Sequence, residues 1–289
     1  MAHGDQVPVH AAVPHGLHDQ VEAFAQTAQA VIDLAHGCSA DDLALPTDCP
    51  GWTVHDQISH VTGVEAWLAG RQDPQIRLPH YEHIRNDLGR RVEYAVEVRR
   101  GRTGEEVVAE LEDVMAQRLS TLRDPTLTES SVIAGPFGPD LAATVVLMRT
   151  FDVWAHEQDI RSALGRPGNL DSPAAAVFVS VIMLQLPRLI RGTGLDPGHT
   201  VVIDVTGPLV ASQGVRVEVD DHGRRRGHTV TSDSPPDDLT TTIMLSTEAF
   251  TRRVAGRRTA RDTMSDATYG VIGDEAIARR VVEALVLTH

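Results

Sequence analysis

Residues 192–199 hold three glycines and a proline, and the spacing of apolar residues changes across them. On the N-terminal side that spacing is helical. Residues 17–36 set Val21, Phe24, Ala25, Ala28, Val31 and Ile32 on one side, and further helices are predicted over 54–68, 81–100, 105–122, 141–164 and 173–191. Thr53 with Asp56, and Thr103 with Glu106, have the spacing of capping boxes, and Gly165-Arg166-Pro167-Gly168 is a stop. On the C-terminal side the residues alternate or are β-branched, which predicts strands over 200–205, 215–219, 227–232, 240–245 and 267–272. A short helix capped by Ser246 or Thr247 runs through Val254 and ends at Gly256, and a last helix covers 274–287. The expected fold is therefore mixed, with a helical bundle over 17–195 followed by a small α+β domain over 196–289. Residues 1–16, rich in His, Pro, Gly and Ala, read as a flexible tail. The stretch 124–140, with three prolines and two glycines, reads as a loop long enough to border a pocket.

The chemistry-bearing residues fall on two of these helices. Asp152 and His156 are four apart, which stacks them on one helix face about 5–6 Å apart at Cβ. Val145, Met148 and Ala155 along that face are apolar, so the pair points toward a core and needs a compensating partner. A metal ion is one such partner, and a plain buried Asp–His hydrogen bond is another. The Pro50-Gly51 turn and the Thr53 cap start a helix near Val54, which carries His60 in line with Gln57, Val64 and Trp67. Two bundle helices can thus assemble His60, Asp152 and His156 as a His₂-carboxylate set with open positions, the pattern of a catalytic zinc or a related divalent metal. Asp159, three past His156, is an alternative carboxylate. His156-Glu157 opens like a zincin motif, but position 160 is Ile and the second histidine is missing.

Composition removes several alternatives. All 26 basic residues are arginine, which excludes a lysine Schiff base, a lysine-dependent P-loop and a lysine general base. A net charge of −14 disfavours nucleic acid and anionic membrane as partners. The cluster Arg224-Arg225-Arg226 follows Asp220-Asp221 and reads as a hairpin surface. The most apolar segment, 172–190, is interrupted by Pro173, Pro187 and Arg188, so no membrane span is expected. No signal core precedes the first helix, and two cysteines, Cys38 and Cys49, make no disulfide framework; both points suit a cytoplasmic chain.

Residues 45–60 and 149–161 resemble the two signatures of the mycothiol-dependent maleylpyruvate isomerase family, a branch of the DinB-like metalloenzymes. There a Cys-Pro-Gly-Trp-x-Val turn leads a helix whose histidine binds zinc, as Cys49–Val54 and His60 do by position. A later helix carries an Arg-x-x-Glu-x-Trp-x-His pattern, matched by Arg149, Asp152, Trp154 and His156, with Asp152 standing where the isomerase has Glu. The resemblance implies a DinB-like bundle, a sterol-carrier-protein-like second domain and zinc on His60, Asp152 and His156. It implies mycothiol as cosubstrate, and a catalytic arginine in the second domain, best matched by Arg257 or Arg258. The lysine-free composition suits the GC-rich genome of an actinobacterium, the organisms that make mycothiol.

A metal-held thiolate can add to an electron-poor double bond, allow rotation and leave, or attack an electrophile and stay attached. The partners expected are thus a small-molecule thiol and a small electrophile. Two other readings remain at this level: a metal hydrolase using metal-bound water, and a non-catalytic two-domain binding protein with a relic site. The oligomeric state is not legible.

Overall fold

The computed structural model describes residues 12–230 and 239–287, which form two compact units, Pro14–Gly168 and a second that begins at Asn169. The chain is mixed helix and sheet, as expected. The first unit is helical: α1 (Gly16–His36), α2 (Ala40–Leu43), α3 (Val54–Leu68), α4 (Asp87–Arg100), α5 (Gly104–Leu122) and α6 (Ala142–Leu164). A two-stranded hairpin, β1 (Val132–Ile133) with β2 (Asp140–Leu141), leads into α6. The expected loop over 124–140 thus carries a little structure of its own.

The caps explain where these helices begin. Both reciprocal hydrogen bonds form at Thr53/Asp56 and at Thr103/Glu106, and a third box at Ser39/Asp42 opens the short α2. Gly165 adopts a left-handed φ of 61° and ends α6, a conformation that costs glycine nothing. Helix α1 packs on α5 and α6, and α3 packs on α4, α5 and α6. Their apolar faces meet in one core that includes Phe24, Val31, Ile58, Val61, Leu111, Val146, Val153 and Ile160. Helix α3 also buries Gln57, Ser59, His60, Thr62 and Glu65, and α6 buries Arg149, His156, Glu157 and Asp159. A polar interior of that kind is tolerated only where its members satisfy one another.

The second unit holds α7 (Pro173–Gly192), β3 (Thr200–Thr206), β4 (Val210–Val219), β5 (Arg225–Val230), β6 (Thr240–Leu245), α8 (Thr247–Val254), α9 (Ala260–Met264), β7 (Gly270–Ile272) and α10 (Glu275–Ala284). Its sheet has the order β5-β4-β3-β6-β7, antiparallel except for the parallel β3–β6 pair. The sequence reading assigned residues 173–191 to the bundle and drew the boundary at 195. The units instead divide after Gly168, because α7 lays its apolar side on β4 and β5. By length and composition α7 is long and apolar enough to cross a membrane, but 56% of its apolar window is buried inside the protein. Packing on the sheet accounts for that composition. Most of the proposed tail over 1–16, and the end of the strand expected over 227–232, lie outside the described residues; α1 already begins at Gly16.

Candidate metal centre

His60 on the second turn of α3 and Asp152 and His156 on α6 come together in the first unit. One donor atom from each lies within 4.8 Å of the other two. His60 Nε2 is 3.2 Å from Asp152 Oδ2, and His156 Nε2 is 3.7 Å from Asp152 Oδ1. The two imidazoles meet edge to face with centroids 4.3 Å apart. Tetrahedral zinc with bonds of about 2.0–2.2 Å spaces neighbouring nitrogen and oxygen donors about 3.3–3.6 Å apart. The two measured separations, made to different oxygens of Asp152, lie near that value, and the three donors fall within 4.8 Å of one another, a set of the type and size that holds such an ion. Asp152 is 34% exposed while the two histidines are 4% and 9% exposed, so the set opens to solvent past its carboxylate.

The surroundings hold each member in place. His156 Nδ1 lies 2.6 Å from Gln57 Oε1 and 3.5 Å from Asp159 Oδ2, which orients Nε2 toward Asp152. The Trp52 ring lies over both imidazoles, 5.1 Å from His60 and 5.9 Å from His156. Its Nε1 donates to Glu93 at 2.9 Å. Gly51 before it has a φ of 80°, and any Cβ there would come within 2.4 Å of His83, so the Pro-Gly-Trp turn needs that glycine. Arg149 donates to Asp152 Oδ2 at 2.8 Å and, through Nε, to the fully buried Glu65 at 2.6 Å. Arg118 Nε donates to the other Glu65 oxygen at 3.0 Å. The result is a chain of alternating charge, Arg118–Glu65–Arg149–Asp152.

Protonation follows from these contacts. Burial, then the neighbouring charge of His156, pushes His60 down to about 4, so its ring is neutral at ordinary pH. Burial opposes ionisation of Asp152, but Arg149 and His156 outweigh it and hold the carboxyl well below the usual range. Burial likewise opposes charging His156, yet Asp152 and Asp159 raise it above the ordinary histidine value. His60 Nδ1 is buried and has no hydrogen-bond partner among the described residues.

Asp159 therefore orients His156 from the side of Nδ1. Arg149, which the sequence placed one turn before Asp152, is its ion-pair partner. Sequence reasoning did not give Gln57, Glu65, Arg118 or Trp52 their roles. Gln57 had a signal, lying three before His60 on the same face, whereas Glu65–Arg118 joins residues 53 apart with no shared periodicity. Cys49 lies in the turn before α3, and Cys38 Sγ donates to Leu34 O at 3.2 Å. Arg257 and Arg258 belong to the second unit, just after α8. There Arg258 pairs with Asp266 at 2.6 Å and Arg257 donates to Ala255 O at 3.0 Å.

Residues 24–161, which span all three donors, match the family model of the mycothiol maleylpyruvate isomerase N-terminal domain. The first unit belongs to that family. Solved structures extend the likeness in fold beyond residues 24–161. A mycothiol-dependent maleylpyruvate isomerase crystal structure matches with a TM-score of 0.52 at 14% identity, over 89% of this chain and 93% of its own. A histidine-to-alanine variant of the mycothiol-dependent maleylpyruvate isomerase matches with a TM-score of 0.53 at 14% identity, over 84% and 90%. At that identity the likeness speaks to the fold. No curated protein matches the sequence.

Proposed function

We propose that this protein is a thiol-dependent enzyme, an isomerase or S-transferase for a small electrophile, centred on a divalent metal held by His60, Asp152 and His156. The observation that carries the reading is the convergence of one donor each from His60, Asp152 and His156 to within 4.8 Å, beside a solvent opening. Membership of the first unit in the isomerase domain family supports it, as does the activity named for the solved proteins of the same fold. When bound, an ion such as zinc would supply Lewis acidity that keeps a thiol in its nucleophilic thiolate form near neutral pH.

The chain's own residues prepare that site. His60 is kept neutral by burial and presents Nε2. Gln57 Oε1 accepts a hydrogen bond from His156 Nδ1–H, which leaves Nε2 to face a metal. Arg149 keeps Asp152 ionised, and the Trp52 ring covers both imidazoles and limits access of water. Mycothiol is the thiol we assign as cosubstrate. We assign the second unit to the sterol-carrier-like class, with Arg257 and Arg258 as handles for a carboxylate on the electrophile, since guanidinium binds carboxylate in two-pronged fashion. Helices set against a mixed sheet support the first of these assignments.

The test is metal analysis of the purified protein, followed by assays on maleylpyruvate with and without mycothiol. One divalent ion per chain, lost from the triple alanine variant of His60, Asp152 and His156, and turnover only with added thiol, is the expected result. Stoichiometric metal in the triple variant, or turnover without thiol, refutes the assignment. One observation favours a second reading: the 2.8 Å pair with Arg149 already compensates Asp152 without an ion. A metal-free binding protein with a relic site would then bind no zinc at micromolar concentration.

A further inference from the structure

A second feature of the first unit lies in the segment before and into α4. Residues 77–81 with Ile84 and Arg90 line a half-open cavity of about 420 Å³, within the roughly 300–1,000 Å³ range of small-molecule sites. Half-buried Leu78, Tyr81 and Ile84 give it an apolar wall, and exposed Arg77 and Arg90 bring positive charge to it. Tyr81 is fixed from three sides. Its ring stacks on His83 with centroids 5.3 Å apart, Arg100 lies 4.7 Å above it, and its hydroxyl donates to Glu97 at 2.7 Å. The wall is therefore formed before any ligand arrives.

The arginines here differ from those elsewhere in the unit. Arg71, Arg99, Arg100, Arg102, Arg118, Arg123, Arg149 and Arg161 are all ion-paired, and Arg166 donates to Gly37 O. The side chains of Arg77, Arg85, Arg90 and Arg91 have no partner among the described residues, and two of them line the cavity. The acidic residues of the segment, Glu82 and Asp87, do not line it. In a chain with a net charge of −14, unpaired guanidiniums gathered at one cavity are an arrangement for an anion.

We propose that this cavity is a binding site for a small organic acid with an apolar body, its carboxylate taken by Arg77 and Arg90 and its body set against Leu78, Tyr81 and Ile84. The inference does not depend on a metal at His60, Asp152 and His156, none of which lines the cavity.

Calorimetric titration of the full chain with sodium benzoate tests it, with benzamide as the neutral isostere. Benzoate should bind more tightly than benzamide, and Arg77→Gln with Arg90→Gln should weaken benzoate by about tenfold or more, as expected for lost charge-assisted hydrogen bonds. Both arginines are exposed, so the double variant keeps its fold, which a thermal melt checks. His60→Ala should leave benzoate affinity unchanged. Benzoate binding no tighter than benzamide, or equally well to the double variant, overturns the proposal. Loss of benzoate binding in His60→Ala also overturns it, because the acid would then sit at the imidazole set.

Discussion

Glu65 is the member of the buried ionic chain whose removal has the most calculable consequence. Its two oxygens receive Arg149 Nε at 2.6 Å and Arg118 Nε at 3.0 Å, and it is fully buried while the two arginine side chains are 4% and 5% exposed. Glu65→Ala leaves Arg118 with no counter-charge and Arg149 with Asp152 alone. Breaking a buried pair from one side costs about 3–5 kcal/mol, chiefly because the stranded charge stays desolvated. For a unit of this size each kcal/mol moves the melting temperature by about 2–4 °C, so Tm should fall by roughly 6–20 °C. Arg118 Nη2 and Arg149 Nη2 are already buried without a partner among the described residues, so little slack remains to re-satisfy them. Calorimetric melting at pH 7 is the assay. Glu65→Gln, which keeps the shape and one acceptor, should lie between the wild type and alanine. A drop below about 1 kcal/mol for Glu65→Ala would place the pair in the range of surface ion pairs and refute the view that the interior of α3 and α6 is electrostatically closed.

Further outcomes follow from the same geometry. A histidine whose folded pKa is depressed, as for His60, removes stability as pH falls from about 6.5 to about 4; one that is raised, as for His156, adds stability at acid pH that is lost as pH rises past its folded value. NMR titration of the metal-free protein should therefore show His156 protonating first, and the reverse order would refute the assignment. Because a ligating imidazole must be neutral, zinc binding should release a proton from His156 at acid pH and none at alkaline pH, read from the buffer dependence of the binding heat. Gly227→Ala places a Cβ 2.3 Å from Pro187 O of α7, which should destabilise the second unit by about 1–3 kcal/mol; an unchanged melt would mean that β5 and α7 separate easily. Cys38→Ser with Cys49→Ser should leave metal content and thiol-dependent turnover intact, since neither is among the converging donors.

What could be read from the sequence was whatever local rules govern. The Thr53/Asp56 and Thr103/Glu106 boxes mark helix starts through hydrogen bonds within three residues, and both form. The i,i+4 spacing of Asp152 and His156 is a property of one helix, and His60 joins them because α3 and α6 pack in one bundle. The boundary was misplaced for the opposite reason. Helix α7 has the same period as the helices before it, and only its contacts with β4 and β5 assign it to the sheet. The start predicted at 81 moved to Asp87 because Asn86 caps α4 through Gly89 N, a cap that apolar spacing does not reveal.

The residues around His60, Asp152 and His156 belong to this second kind. Nothing in the sequence sets Glu65 apart from the other polar positions of α3, and the fold buries it with Arg149 and Arg118. Burial turns these ordinary charges into a constraint, because each then requires a partner of opposite sign. The shorter Asp152 arm, where the isomerase signature has Glu, can be examined on the same terms. Asp152 Oδ2 is shared between Arg149 at 2.8 Å and His60 at 3.2 Å, so the guanidinium competes with an ion for that oxygen. Oδ1, facing His156 at 3.7 Å, is the oxygen left for a metal. Asp152→Glu extends the arm by one methylene and should release the carboxylate from Arg149 toward the histidines. Zinc affinity, measured by competition with a chromophoric chelator, should then rise. A fall would mean that the packing of α3 and α6 is already matched to aspartate, and that Arg149 positions its carboxylate for the metal instead of competing with it.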